Sequence, residues 1–313
     1  MAVYTHLEPT TLASLLADFE IGKLLDVAGV AAGSINTIYK VTTDRGTFFV
    51  RILEDRPARH AHFEAALLSH LRAHGLEVAS PVLRHDGSAF VSLTSKQHLS
   101  VFPAMPGLEL EHPELRPLHC AALGNYLARM HSATLNFKLR RKNSFDQAAL
   151  LQMLKLCHQS KLRLPLSRLQ EVIENFVEPQ DLPRGIIHGD VFVDNAKFQG
   201  DKLVGLLDFE MASNGVFLYD LAVALLDWCF AREALDKPRA TALLTAYQAE
   251  RRLQKAELYG LKTYLEFVLA RFTLTRIVSF ELPQNRCDTR RHKDYRELLN
   301  RLDWLVRCKA LPW

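Results

Sequence analysis

Ile186-Ile187-His188-Gly189-Asp190-Val191-Phe192-Val193-Asp194-Asn195, followed after a strand-turn-strand pattern by Leu206-Leu207-Asp208-Phe209-Glu210, reads H-x-D-x-x-x-x-N and then D. This spacing suits phosphoryl transfer: one carboxylate orients and deprotonates an attacking hydroxyl, while an amide oxygen and a second carboxylate hold Mg²⁺ against nucleotide phosphates. On this reading Asp190 is the base, His188 joins it in the catalytic set, and Asn195 and Asp208 are the metal ligands. The apolar runs Gly185-Ile186-Ile187 and Leu203-Val204-Gly205-Leu206-Leu207, with turn chemistry at Gly200-Asp201, supply strands that project these groups into one cleft. Asx residues also gather in surface turns for local hydrogen-bonding reasons. Three fixed positions plus a strand-end aspartate in the right context outweigh that alternative.

Outward from this stretch, the pattern changes period. Leu12, Leu15, Leu16 and Phe19 recur at helical intervals within Thr10 to Leu25. From Gly29 the chain turns β-branched and aromatic, with a hairpin turn at Asp44-Arg45-Gly46 and a strand ending near Leu53. Ala58 to His74 is helical again, with Phe63, Leu67, Leu68 and Leu71 on one face, and Pro81 to Val101 holds two short strands around His85-Asp86-Gly87. Pro103-Ala104-Met105-Pro106-Gly107 breaks both periods and marks a boundary. Helical patterns follow over His112 to Ser132, Phe145 to Cys157, Leu166 to Glu178, Tyr219 to Arg232 and from Lys237 to Ala270 and beyond. The expected fold class is α+β, a bilobal protein-kinase-like arrangement. Residues 1–104 form a small antiparallel-sheet nucleotide lobe, and residues 105–313 form a large, mostly helical lobe for catalysis and acceptor binding.

In the small lobe, Gly29 and Gly33, with Ser34, are candidates for a loop over ATP phosphates, where missing side chains let backbone N–H groups approach an anion. Arg51, within Phe48-Phe49-Val50-Arg51-Ile52-Leu53, stands where a cation would hold the α- and β-phosphates through its bidentate fork. The alternative is an edge-strand arginine facing solvent. Glu64 on the following helix is the natural partner to orient Arg51, and Phe102 completes the nucleotide set. In the large lobe, Asp220 and Asp227 lie seven apart on one face of an otherwise apolar helix, where carboxylates need partners. Asp220 reads as a support for the catalytic loop, and Asp227 as either an acceptor-pocket residue or an exposed position.

Composition excludes several other classes. With 48% hydrophobic and 24% charged residues over 313 positions, usage is that of an ordinary globular chain. Its five cysteines, odd in number and without C-x-x-C spacing, indicate neither a disulfide framework nor a zinc site. Met1 to Pro9 lacks the basic start and apolar core of a signal peptide, and no apolar run approaches the ~20 residues of a membrane span, so a cytoplasmic protein is expected. A net charge of +4 is small for the length, and the short basic cluster Lys138 to Lys142 reads as a solvated face, so neither nucleic acid nor membrane is an expected partner. Oligomeric state is not legible.

The chain resembles the aminoglycoside-phosphotransferase-like kinases, a group that includes choline and methylthioribose kinases, through His188-Gly189-Asp190 to Asn195 and Leu207-Asp208-Phe209-Glu210. Within that group it is most similar to the bacterial homoserine kinases of this fold, over Met1 to Thr5, Gly33 to Tyr39, His119 to His131, Asn136 to Asn143, Asp181 to Phe198 and Tyr219 to Phe230. The resemblance implies ATP and Mg²⁺ as cofactors and transfer of a phosphoryl group to the hydroxyl of L-homoserine, in threonine biosynthesis. It also implies an acceptor pocket offering an anion for the ammonium, from Glu210 or Asp227, and a cation for the carboxylate. Arg271 and Arg276, guanidiniums in the apolar segment Ala270 to Phe280, are the candidates for that cation, with Arg276 preferred, and an internal ion pair is the alternative for each. Two further readings stay open: a kinase for another hydroxylated metabolite such as an amino alcohol, sugar or aminoglycoside, and a nucleotide-binding pseudokinase regulator.

Overall fold

The computed structural model describes residues 5–30, 36–160, 164–282, 293–308 and 311. They fall into two compact units that meet in sequence between Pro106 and Gly107.

The first unit comprises helix α1 (Pro9–Leu16), strands β1 (Leu24–Gly29), β2 (Thr37–Thr43) and β3 (Gly46–Leu53), helix α2 (Ala58–Ala73), and strands β4 (Val91–Ser92) and β5 (His98–Pro103). One antiparallel sheet runs β1-β2-β3-β5-β4, so β3 is its central strand. Alternation on β2 and β3 buries Tyr39, Val41, Val50 and Ile52, and Leu99 and Val101 of β5 join them with Leu12, Leu16, Phe19 and Ile21 in one apolar cluster. Helix α1 is shorter than its periodicity predicts. Gly22 in a left-handed conformation (φ +85°) and the Asp44 carboxylate accepting from the Lys23 N–H turn the chain, and Leu24 onward becomes a sheet strand. The turn at His85-Asp86-Gly87 forms, but the two short strands expected around it, β4 and β5, both follow it.

The second unit comprises α3 (Pro117–Thr134), α4 (Gln147–Gln159), α5 (Ser167–Glu174), strands β6 (Arg184–Ile187), β7 (Ala196–Gln199), β8 (Lys202–Leu206) and β9 (Ser213–Val216), α6 (Leu218–Trp228), the short hairpin β10 (Phe230–Ala231) and β11 (Ala234–Leu235), then α7 (Lys237–Glu250), α8 (Lys255–Arg276) and α9 (Tyr295–Arg307). Strand β6 pairs with β9, and β7 with β8 through the Gly200-Asp201 turn. Every residue of α6 is buried, which makes it the central rod of this unit. Backbones of α3 and α7 touch at Gly124, where a Cβ would lie 2.2 Å from the Leu243 carbonyl oxygen. Three helices start or stop away from their apolar patterns for local reasons. Pro117 opens α3 after a short 3₁₀ turn at His112–Glu114. The β10–β11 hairpin, turning at Arg232 with φ +58°, ends α6 at Trp228. The expected helix from Lys237 is interrupted at Arg251–Gln254, where the Glu257 carboxylate caps the Gln254 N–H at 2.9 Å and starts α8.

Cys120, Cys157 and Cys229 are buried thiols. Among the described residues no helix is long and apolar enough to cross a membrane.

Candidate active site

Strands β6 and β7 are joined by the loop His188–Asn195, and the chemistry-bearing side chains stand where that loop is fixed from below. Asp220, fully buried on α6, accepts from the backbone N–H of His188 at 2.7 Å and of Gly189 at 2.8 Å. Gly189 has φ +83°, and a Cβ there would lie 3.0 Å from the Met211 carbonyl oxygen, so both conformation and space select glycine. Two turns along α6, Asp227 accepts from the Val193 N–H at 2.8 Å, and the Trp228 indole donates to the Val191 carbonyl at 2.9 Å. The sequence argument that these helix carboxylates need partners is met by the loop's own backbone.

His188 is buried and uses both ring nitrogens. Its Nε2 donates to the Leu207 carbonyl at 2.8 Å, and Nδ1 accepts from the Asp190 N–H at 3.3 Å. Leu207 in turn donates its N–H to the Asn195 carbonyl at 2.7 Å. These bonds draw the end of β8, and with it Asp208, to the loop that carries Asp190 and Asn195. Asp208 occupies the left-handed region (φ 58°, ψ 64°), which aspartate tolerates better than most residues. Asn195 donates from Nδ2 to the Asp190 carbonyl at 2.8 Å, which turns its amide oxygen away as a free acceptor. One amide oxygen and one carboxylate form a hard donor set suited to Mg²⁺, which keeps several non-protein oxygens. A cluster of three or more His, Cys, Asp or Glu able to hold a metal alone is absent among the described residues.

The Asp190 carboxyl is pushed up to about 6, chiefly by burial, with the Arg271 guanidinium opposing the shift and the Asp208 carboxylate adding to it. The same arginine acts on the buried Tyr219 hydroxyl, which burial raises and Arg271 draws back.

Behind the loop lies a relay that sequence reasoning did not find. His131 of α3, fully buried, bonds Asp220 through Nε2 at 3.1 Å and the Tyr247 hydroxyl through Nδ1 at 2.8 Å. Arg251 donates to that hydroxyl at 3.1 Å and to the Glu257 carboxylate at 2.9 Å. Burial lowers the His131 pKa against the pull of Asp220. A lone histidine in an apolar helix carries no sequence signal that separates this role from ordinary packing.

The remaining expected site residues divide. In the first unit, Arg51 lies on central strand β3 opposite Ile38 and Ser100, so it is not an edge-strand residue, and it is buried. It forms an ion pair with Glu64 of α2, and its guanidinium carbon sits 4.8 Å from the Phe102 ring centroid. Gly29 ends β1, opposite Tyr39. Gly33 and Ser34 lie outside the described residues. In the second unit, Glu210 is buried beside Asp208 in sequence. Asp227, far from being exposed, is committed through one oxygen to Val193 and through the other to His112 at 3.1 Å. Arg276 donates to the Asp294 carbonyl at 2.8 Å and faces Glu297 at 3.3 Å, which engages it with α9.

A two-unit α+β chain with this loop and this strand-end aspartate has the architecture of a kinase-like phosphotransferase, and the comparisons agree: the chain belongs to the phosphotransferase enzyme family, whose model matches residues 26–255. Its relatives narrow the class. The homoserine kinase of Methylobacterium sp. (strain 4-46) is 35% identical over 90% of this chain and 88% of its own length. That of Bradyrhizobium diazoefficiens is likewise 35% identical, over 90% of this chain and 87% of its own. Among solved structures, an amicoumacin kinase in complex with AMP-PNP and Ca²⁺ superposes with a TM-score of 0.76 at 17% identity, covering 98% of this chain and 96% of that one.

Proposed function

We propose that the protein transfers the γ-phosphoryl group of ATP to the side-chain hydroxyl of L-homoserine, giving ADP and O-phospho-L-homoserine in the route to threonine. The observation that carries the acceptor is the 35% identity to homoserine kinases over nine-tenths of the chain.

In this reading Asp190 accepts the proton of the attacking hydroxyl as its oxygen bonds to phosphorus and the bond to the ADP oxygen breaks. Its raised pKa leaves it ionised at neutral pH yet more basic than a free carboxylate, as a general base requires. His188, with both nitrogens engaged by backbone, positions Asp190 and does not exchange protons with substrate. Arg51, held by Glu64, grips the α- and β-phosphates, with Gly29, Gly33, Ser34 and Phe102 around the nucleotide. Asn195 and Asp208 hold Mg²⁺. The ion, when bound, neutralises charge on the phosphates. Dependence on ATP as donor supports a cytoplasmic location for the reaction.

Purified protein assayed for ADP release with L-homoserine, choline, kanamycin and glucose tests the proposal. L-Homoserine is expected to give a kcat/KM at least about 10²-fold above the others, the discrimination a site built around polar partners reaches. Equal efficiency on choline or kanamycin would replace the acceptor. Tight ATP binding without turnover on any hydroxyl would mean a nucleotide-binding regulator.

A further inference from the structure

Helix α8 carries a buried arginine, Arg271, that the phosphoryl-transfer machinery leaves unused. Arg271 is 3% exposed. Its guanidinium carbon sits 3.5 Å from the Phe272 ring centroid and 4.0 Å from that of Phe145. Phe272 in turn meets Phe192 of the catalytic loop edge-on at 4.7 Å, which brings this part of α8 against the loop. Among the described residues Arg271 has no ion-pair partner, and its buried Nε has no hydrogen-bond partner. Stacking on aromatic faces holds the cation in place but supplies no oxyanion. A desolvated guanidinium without an anion is costly, and buried arginines are retained where a carboxylate or phosphate meets their fork.

The nearby groups narrow which anion that is. Asp190 feels the charge of Arg271 without pairing with it, and the neutral Tyr219 hydroxyl, which supplies no charge, is the polar side chain that meets the guanidinium. An acceptor whose hydroxyl meets Asp190 therefore extends its other end toward Arg271, past the aromatic walls of Phe145, Phe192 and Phe272, which suit a short carbon chain. Arg276, the other arginine of this helix, is already engaged with Asp294 and Glu297.

We propose that Arg271, seated between Phe145 and Phe272 beside Tyr219, binds the carboxylate of the amino-acid acceptor and is the residue that selects carboxylate-bearing alcohols over simple amino alcohols. The inference rests on the reading of L-homoserine as acceptor. It assigns no proton transfer to Arg271; the guanidinium recognises charge and fixes the orientation of the chain that bears the reacting hydroxyl.

Steady-state kinetics of the wild type, Arg271→Met and Arg271→Lys with L-homoserine and with 4-amino-1-butanol, which lacks the carboxylate, test it. Arg271→Met should raise the KM for L-homoserine about 10²-fold, leave the KM for ATP within about twofold, and abolish the preference for L-homoserine over the amino alcohol. Arg271→Lys should recover part of that preference, because a point charge replaces a bidentate fork. A rise in the KM for ATP instead would assign the anion to the nucleotide's phosphate and overturn the proposal. An equal fall in kcat for both acceptors, with the homoserine preference intact, would overturn it too. Should Arg271→Met fail to fold by circular dichroism, the lysine variant decides alone: an unchanged preference for L-homoserine sinks the proposal. Wild-type protein inactive on L-homoserine would sink the acceptor reading and this inference together, whereas wild-type activity with indifferent variants sinks only the inference.

Discussion

Burial around Asp190 raises its carboxyl to about 6, and the Arg271 guanidinium is the largest charge opposing that shift. In the proposed reaction the side chain that would take the proton is thus poised by its surroundings and not by its identity, since any free aspartate would be a much weaker base. Asp190→Asn keeps the shape and removes the proton acceptor. It is expected to lower kcat by about 10²- to 10⁴-fold while ATP affinity by calorimetry stays close to wild type; turnover near the wild-type value would remove Asp190 from the base role. The sequence made Asp190, Asn195 and Asp208 legible because their chemistry demands fixed spacing on one loop and one strand end. It preferred Arg276 to Arg271 although both stand in the same apolar stretch, and the contacts of Arg276 with Asp294 and Glu297 overturn that preference. Five residues apart on a helix, they point about 140° from one another, so only one of them can face the loop. Which one is a matter of how α8 is rotated, and rotation is set by packing that one sequence does not display.

At the scale of elements, the catalytic loop is an outgrowth of α6. Asp220, Asp227 and Trp228 are spaced so that one helix face meets four backbone groups of the loop. The apolar run from Leu218 to Trp228 and its two carboxylates were visible in the sequence; the partners were visible only as a requirement. His131 extends that support to α3, Tyr247 to α7 and Glu257 to α8, each through a buried polar bond. A polar chain inside a core is costly when broken, because the groups left behind stay desolvated. It also has a pH consequence. Since His131 in the folded chain has a pKa below the ordinary 6.5, the unfolded chain takes up a proton under acid that the folded chain refuses. Its contribution to stability is therefore full above pH 6.5 and declines as the pH falls below it. Urea unfolding at pH 7.5 and at pH 5.5 is expected to show a stability loss at the lower pH that is smaller in His131→Gln than in the wild type. An identical pH difference in wild type and variant would mean that His131 takes up its proton as readily in the folded chain as in the unfolded one.

For the whole molecule, the order of periods in the sequence, strands and one long helix followed by helices, matches the order of elements in the two units. Boundaries moved where a single residue overrides a pattern: Gly22 turning the chain into β1, the Arg232 turn ending α6, Glu257 capping a new helix inside what reads as one. Sheet pairing was less legible. Strand β9, Ser213–Val216, is nearly devoid of the β-branched and aromatic residues that mark strands, and it forms because β6 offers it a partner.

The three buried thiols have a kinetic consequence. Burial pushes the Cys157 thiol up to about 11 and Cys229 well above its ordinary value, so neither ionises in the folded chain, and Cys120 is equally screened from solvent. With Cys287 and Cys308 replaced by serine, the chain becomes a clock that ticks only when it opens. Disulfide-exchange labelling of the remaining three should then proceed at the free-thiol rate multiplied by the fraction of molecules open at any instant. A saturating nucleotide should slow that clock by the factor 1 + [L]/Kd, reporting ligand affinity without any turnover at all.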